Sequence, residues 1–311
     1  MQNSRKVLSS RSDQYFKGLI LLLGVAIIAI FGLSLYELVV GGWDALKTYG
    51  LGFLTDTVWD VPNEKYGALT FIVGTLLTSV PALLIAVLLA VPAAIFVTEY
   101  APRWLAEPVS YLIELLAAIP SVIYGLWAIV FLVPLVQKLQ MWIMTDPQLQ
   151  KISWLVAAPT GRSLFTAVIV LSIMVIPYTA SVARDVIRLV PADQREAAYA
   201  LGATKWEVIS MAILPYARAG IFGGVILSLG RALGETMAVT MVIGNNNAIP
   251  AGPFSATNTM ASVIATQFQE ATSDLQLSSL LGIGLLLFII SVIVNYLARL
   301  IVARLTPKGI K

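Results

Sequence analysis

Residues 219–243 read AGIFGGVILSLGRALGETMAVTMVI. About 20 apolar residues suffice to cross the hydrocarbon core of a bilayer as a helix, so this run is long enough. Yet Arg231 and Glu235 stand near its centre. A charge there costs at least ~2.5–3.5 kcal/mol unless it faces protein or a water-filled cavity. The segment therefore reads as a membrane span whose two charges need a reason.

Composition carries that reading outward. Of 311 residues, 58% are hydrophobic and only 12% charged, whereas a soluble domain has roughly 45–50% and 25%. The apolar residues come in long runs, which marks an all-α, multispanning integral membrane protein. There is no Cys and no His, which excludes disulfides, Cys/His zinc sites, thiol nucleophiles and histidine proton relays. The net charge of +3 comes from basic residues flanking apolar runs. That is an orientation signal and no sign of nucleic acid as a partner.

Length and apolarity predict six spans at 18–40, 68–98, 109–136, 164–183, 219–243 and 278–303, within one transmembrane domain over 1–311. The first run exceeds the 7–15 residues of a signal-peptide core and is expected to remain as a span. Of the 20 Lys and Arg, five (Lys47, Lys65, Lys138, Lys151 and Arg162) fall on one side. Arg231 lies within a span, and the other 14 fall on the side of the N-terminus. Both termini are therefore expected to be cytoplasmic, with lipid around the spans.

On a continuous fifth helix, Gly220, Gly224, Ser228, Arg231 and Glu235 share one face. Arg231 would lie ~16 Å from Gly220, near the midplane, and Glu235 one turn further on could pair with it. One reading is a structural salt bridge, but buried pairs often fail to repay their desolvation. The other is a translocation-path cation for an oxyanion, whose oxygens the guanidinium fork matches, with Glu235 holding its charge in check. In the third span Glu114, Ala118, Ser121 and Gly125 form a second stripe around a bend at Pro120. Glu114 reads equally as a gate or pairing group and as an interfacial carboxylate.

Between the fourth and fifth spans lies RDVIRLVPADQREAAYALGATKWEVISMAILPYARAG, residues 184–220. Pro191 and Asp193 suit a helix start, and Gly202 a stop. Thr204 and Glu207 have capping-box spacing, and Pro215 is expected to interrupt the approach to the fifth span. By pattern alone this is an amphipathic hairpin linking two spans.

EAAYALGATKWEVISMAILP, residues 196–215, resembles the EAA loop of ABC importer permeases. Glu196, Ala197, Ala198, Gly202, Leu214 and Pro215 match it, while Ala212 stands where the pattern has Ile. ELLAAIPSVIYG, IPYTASVARDVI, GRALGETMAVTMVIGN and FLTDTVWDVPNEKYGAL extend the likeness. Over about residues 15–305 the chain resembles the C-type permease subunits of bacterial phosphate-specific ABC importers. The resemblance implies the type I importer permease fold in a bacterial cytoplasmic (inner) membrane. It implies a second homologous permease, an ATP-binding cassette ATPase dimer and an extracytoplasmic phosphate-binding protein as partners. Segment 191–215 would then couple to the ATPase, and phosphate would pass Arg231, Glu235, Ser228 and Glu114. The chain has no G-x-x-x-x-G-K-[ST] loop, so ATP and Mg are expected on the partner ATPase and no cofactor on this chain. The alternatives are an importer for another oxyanion, such as sulfate or molybdate, and an ATP-independent anion transporter. A membrane-embedded enzyme ranks last, for want of a nucleophile, acid–base and metal cluster.

Overall fold

The computed structural model describes residues 11–305, so Arg5, Lys6, Lys308 and Lys311 of the basic set lie outside the described residues. The chain is mainly helical: α1 (Arg11–Gly41), α2 (Trp43–Tyr49) and α3 (Gly52–Thr55) lead into a short antiparallel hairpin of β1 (Trp59–Asp60) and β2 (Lys65–Tyr66). Then come α4 (Leu69–Ile95), α5 (Arg103–Ala118), α6 (Ser121–Trp127), α7 (Val133–Thr145) and α8 (Leu164–Arg188). α9 (Ala192–Ala200), α10 (Lys205–Val208), α11 (Leu214–Leu233), α12 (Met237–Val242), α13 (Met260–Gln267) and α14 (Asp274–Leu305) complete the chain. Single π-helical turns extend α4 through Phe96–Tyr100, join α6 to α7 through Ala128–Leu132, and join α10 to α11 through Ile209–Ile213.

Among the described residues six helical stretches are long and apolar enough to cross a membrane: Tyr15–Tyr49, Leu69–Tyr100, Ser121–Thr145, Leu164–Arg188, Lys205–Leu233 and Asp274–Leu300. Four overlap the expected spans closely. The third differs, because the chain does not bend at Pro120 but breaks there. Ile119 and Pro120 are both extended, with ψ of 130° and 138°. Proline lacks an N–H and drives the residue before it out of the helical region. α5 is thus a separate helix, and Glu114 and Ala118 do not share a helical face with Ser121 and Gly125.

The fifth span differs too. α11 ends at Leu233, Gly234 caps it, and α12 starts at Met237. Pro215, expected as an interruption, sits in the first turn of α11, and the helical path runs on through the preceding π turn. A widened turn accommodates a residue that cannot donate to the helical ladder.

α8 is the central pillar. It packs most extensively on α4, then on α11 and α5. On α4, Ala82, Ala86, Ala90 and Ala94 are fully buried at four-residue spacing, which lets helices approach closely. On α11 the same is done by glycine: a Cβ at Gly224 would lie 2.5 Å from Val182 Cγ1, and one at Gly220 2.5 Å from Val186 Cγ1. α1 by contrast exposes nearly all of its Leu, Ile and Val, as a lipid-facing helix does. A second buried cluster, with Phe53, Trp59, Tyr66, Phe71 and Met260, ties α3 and the β-hairpin to α4, α13 and α14. A third gathers Ala94, Ile187, Val190, Val208, Ile209 and Ile213 beneath α9 and α10.

Glycine tolerance tests this packing. A Cβ at Gly74 would meet Asn258 O, a backbone atom, at 2.1 Å, whereas one at Gly223 meets nothing within 4 Å. Gly74→Ala is expected to destabilise the purified protein by about 1–3 kcal/mol. Gly223→Ala should leave the thermal midpoint unchanged or raise it, since Ala is the better helix former. Equal midpoints for the two variants would refute the close approach at Gly74.

Candidate functional site

The two charges of the fifth span lie at a helix break, not in mid-helix. Arg231 occupies the last turn of α11, where the helix dipole presents its negative end. Glu235 follows Gly234 in the break, and its Oε1 accepts a hydrogen bond from the Ala238 amide of α12 at 3.1 Å. Each charge therefore complements a different helix end. The expected Arg231–Glu235 ion pair is not formed: the ion pairs among the described residues are Arg184–Glu114, Arg184–Asp185 and Arg195–Glu99.

Arg231 is exposed. Its guanidinium carbon lies 5.8 Å from the centre of the Tyr178 ring on α8, within cation–π range. No side-chain hydrogen bond or ion pair to it is found among the described residues. The exposed guanidinium thus keeps its donors for a ligand or another chain.

Ser228 does not share this exposure. It is fully buried, with its Oγ 2.8 Å from Thr179 Oγ1 and 2.9 Å from Gly224 O. Gly220, Gly224 and Ser228 form the seam with α8, so this part of the expected small-polar face is a helix contact. Periodicity identified the Gly220–Gly224–Ser228 part of the expected face, but Arg231 is exposed and Glu235 lies beyond the end of α11.

Glu114 pairs with a residue the sequence reading had placed among the flanking charges. Arg184, near the end of α8, has a side chain only 4% exposed. Its Nη2 donates to Glu114 Oε1 at 2.7 Å and to Asp185 Oδ1 at 2.8 Å, and its Nη1 to Ser110 O at 3.3 Å. This clamp fixes α5 against α8. Arg184 lies on the same buried stripe as Ala180, Ala183 and Ile187, so helical periodicity carried a signal for its burial.

In the segment between α8 and α11, Gly202 adopts φ +85°, a left-handed conformation that glycine takes without strain and that stops α9. Thr204 and Glu207 form the full capping box at the start of α10. Hydrogen bonds from the Thr204 amide and hydroxyl hold the Glu207 carboxyl below its usual range. The matched residues split into two sets. Glu196, Ala197 and Gly202 are exposed, while Ala198 and Leu214 pack on the third cluster and Pro215 is half-buried. α9 has no buried residue. Around it Leu189, Leu201, Trp206 and Met211 are 75%, 90%, 60% and 75% exposed, an apolar rim at a polar helix.

Residues 86–307 match the family described as binding-protein-dependent transport system inner membrane component. The phosphate transport system permease protein PstC of Haemophilus influenzae is 45% identical over 94% of this chain and 94% of its own length. The PstC of Pasteurella multocida is 49% identical over 88% of this chain and 86% of its own length. The PstC 2 of Mycobacterium tuberculosis is 36% identical over 94% and 92% respectively. Among solved structures, a chain of the MetNI methionine ABC transporter in an inward-facing form superposes with a TM-score of 0.57. It is 16% identical, over 77% of this chain and 98% of that one, a likeness of fold.

The Arg184 clamp makes a non-additive prediction. Glu114→Gln alone leaves the buried guanidinium with Asp185, and Asp185→Asn alone leaves it with Glu114. The double variant strands a buried cation, at a cost on the order of 3 kcal/mol. Denaturation of the purified protein should show a double-variant loss larger than the sum of the singles. Additive losses would mean that Arg184 is hydrated.

Proposed function

The chain belongs to the binding-protein-dependent transport system inner membrane components, and from that membership we propose that it is the permease subunit of an ATP-driven phosphate importer. The family consists of transport components and not of catalytic enzymes. The observation that carries the phosphate reading on this chain is Arg231. It is an exposed guanidinium at a break in a membrane helix, free of any carboxylate partner among the described residues. A guanidinium binds phosphate oxygens through two parallel charge-assisted hydrogen bonds. The names of the relatives agree with that substrate.

The subunit would sit in a bacterial cytoplasmic membrane with both termini inside. Its Arg231 face would be completed by a second, homologous permease, with phosphate delivered by an extracytoplasmic binding protein. ATP and Mg would be held by a dimer of ATPase subunits docked on 191–215. The exposed Glu196, Ala197 and Gly202 and the apolar rim around α9 are the surface that fits this role. Glu235, bound to the α12 amide, shapes the break beside the path, and Glu114 serves the α5–α8 clamp. The chemistry of this chain is then binding and release. Phosphate leaves bulk water for the Arg231 fork, and reorientation of the helices exposes it to the other side.

Labelled-phosphate uptake by the assembled complex in proteoliposomes tests this. Arg231→Gln removes charge-assisted hydrogen bonds worth about 1.5–3 kcal/mol. Uptake should fall at least about tenfold while the complex still assembles. Normal uptake by the assembled variant would remove Arg231 from the path. Equal inhibition of uptake by sulfate or molybdate would favour a broader oxyanion importer. Uptake that survives a catalytically dead ATPase would point to an ATP-independent transporter.

A further inference from the structure

α9 is a short helix with no buried residue, yet it is not loosely attached. Arg195 reaches back from it and makes two contacts. Its Nη1 lies 2.9 Å from Glu99 Oε1, and its Nη2 donates to Ile187 O at 2.9 Å. The Glu99 side chain is only 10% exposed and that of Arg195 26%. Glu99 lies in the π-helical turn Phe96–Tyr100 that ends α4. The neighbouring residue of that turn, Tyr100, receives a second cation: Lys205 Nζ, from α10, lies 4.8 Å from its ring centre. Both helices of the hairpin thus place a positive charge on adjacent residues of one π turn.

From this convergence we infer that Glu99 is a positioning residue, acting through Arg195 to carry displacement of the 191–215 hairpin into α4. The inference rests on the reading of that hairpin as the ATPase-coupling segment. A largely buried carboxylate cannot shed its one cationic partner without a large penalty. The end of α4 and α9 must therefore move together or pay that penalty in full. A π turn is a local departure from the regular ladder, and such turns recur at functional sites. It gives the end of α4 freedom to follow α9 while the alanine stripe above it stays packed on α8. Arg195 bonds the carbonyl of Ile187, whose side chain belongs to the apolar cluster with Ala94 and Val190, and the Glu99 side chain is largely buried. This weakens screening and strengthens the tie.

The test uses the complete complex of this chain with its partner permease, ATPase subunits and phosphate-binding protein in proteoliposomes. Phosphate uptake and ATP hydrolysis are measured on the same preparation for wild type, Glu99→Gln and the charge-swapped pair Glu99→Arg with Arg195→Glu. With Glu99→Gln, hydrolysis should stay within about twofold of wild type while phosphate moved per ATP falls about fivefold or more. The swapped pair should recover most of that ratio. An unchanged ratio of phosphate moved per ATP in an assembled Glu99→Gln complex overturns the inference. Where Glu99→Gln does not assemble, the swapped pair decides: recovered assembly and ratio sustain the tie, and failure to recover them overturns it. A wild-type complex that moves no phosphate with ATP overturns the transport reading and this inference with it. A transporting wild type beside an indifferent Glu99→Gln overturns the inference alone.

Discussion

Hydrocarbon offers no hydrogen bonds, so every break in a membrane-spanning backbone has to be satisfied from within the protein. Both unexpected features of this chain are breaks of that kind, and each is closed by polar groups at hand. At Ile119–Pro120, the Tyr124 hydroxyl donates to Leu116 O at 2.8 Å and the Ile119 amide to the same carbonyl at 3.3 Å. At Gly234–Thr236, the Gly234 amide donates to Gly230 O at 3.3 Å, Thr236 Oγ1 to Gly234 O at 3.1 Å, and the Ala238 amide to Glu235. Tyr124, Glu235 and Thr236 thus supply hydrogen bonds to backbone groups that the two breaks leave open. Arg231, beside the C-terminal carbonyls of α11, is the charge this repair leaves free.

The breaks are tolerable because α8 between them is regular and enclosed. Its neighbours α4 and α11 turn alanines and glycines toward it, so that α8 side chains such as Val182 and Val186 reach the α11 backbone. Close contact of this sort gains dispersion energy and resists sliding. The Ser228–Thr179 pair and the Arg184 clamp add direction to a contact that alanine and glycine alone leave smooth. Such a pillar can hold Tyr178 at a fixed distance from Arg231 while the chain on either side is interrupted.

What could be read from the sequence divides by the physics behind each signal. Span count was legible because bilayer thickness sets a minimum apolar length. The hairpin was legible because Pro191, Gly202, Thr204 and Glu207 act on their own backbone within a few residues. The breaks were not, since hydropathy runs across Ile119 and Gly234 without change, and a membrane proline bends or breaks a helix according to what satisfies its neighbours. The burial of Ser228 against α8 was not legible, because a period of 3.6 gives a face without naming its neighbour. Arg184 was counted as a flanking charge, although the buried stripe of α8 passes through it. Glu99 and Arg195 meet only in three dimensions, and neither sits in a motif that brings them together.

The helical run from Lys205 to Leu233 joins the two regions singled out by charge. It covers 29 residues, a length of roughly 40 Å, with no break between its capping box and Arg231. A continuous helix packed along α8 transmits a push along its axis and has no place to absorb one except its π turn. That turn, Ile209–Ile213, lies in the same apolar cluster as the foot of α4. On the proposed coupling, a displacement of the hairpin would reach α11 through the chain itself and α4 through the Arg195–Glu99 pair. The two helices meet α8 by different surfaces, alanine on α4 and glycine on α11, and they also pack on each other.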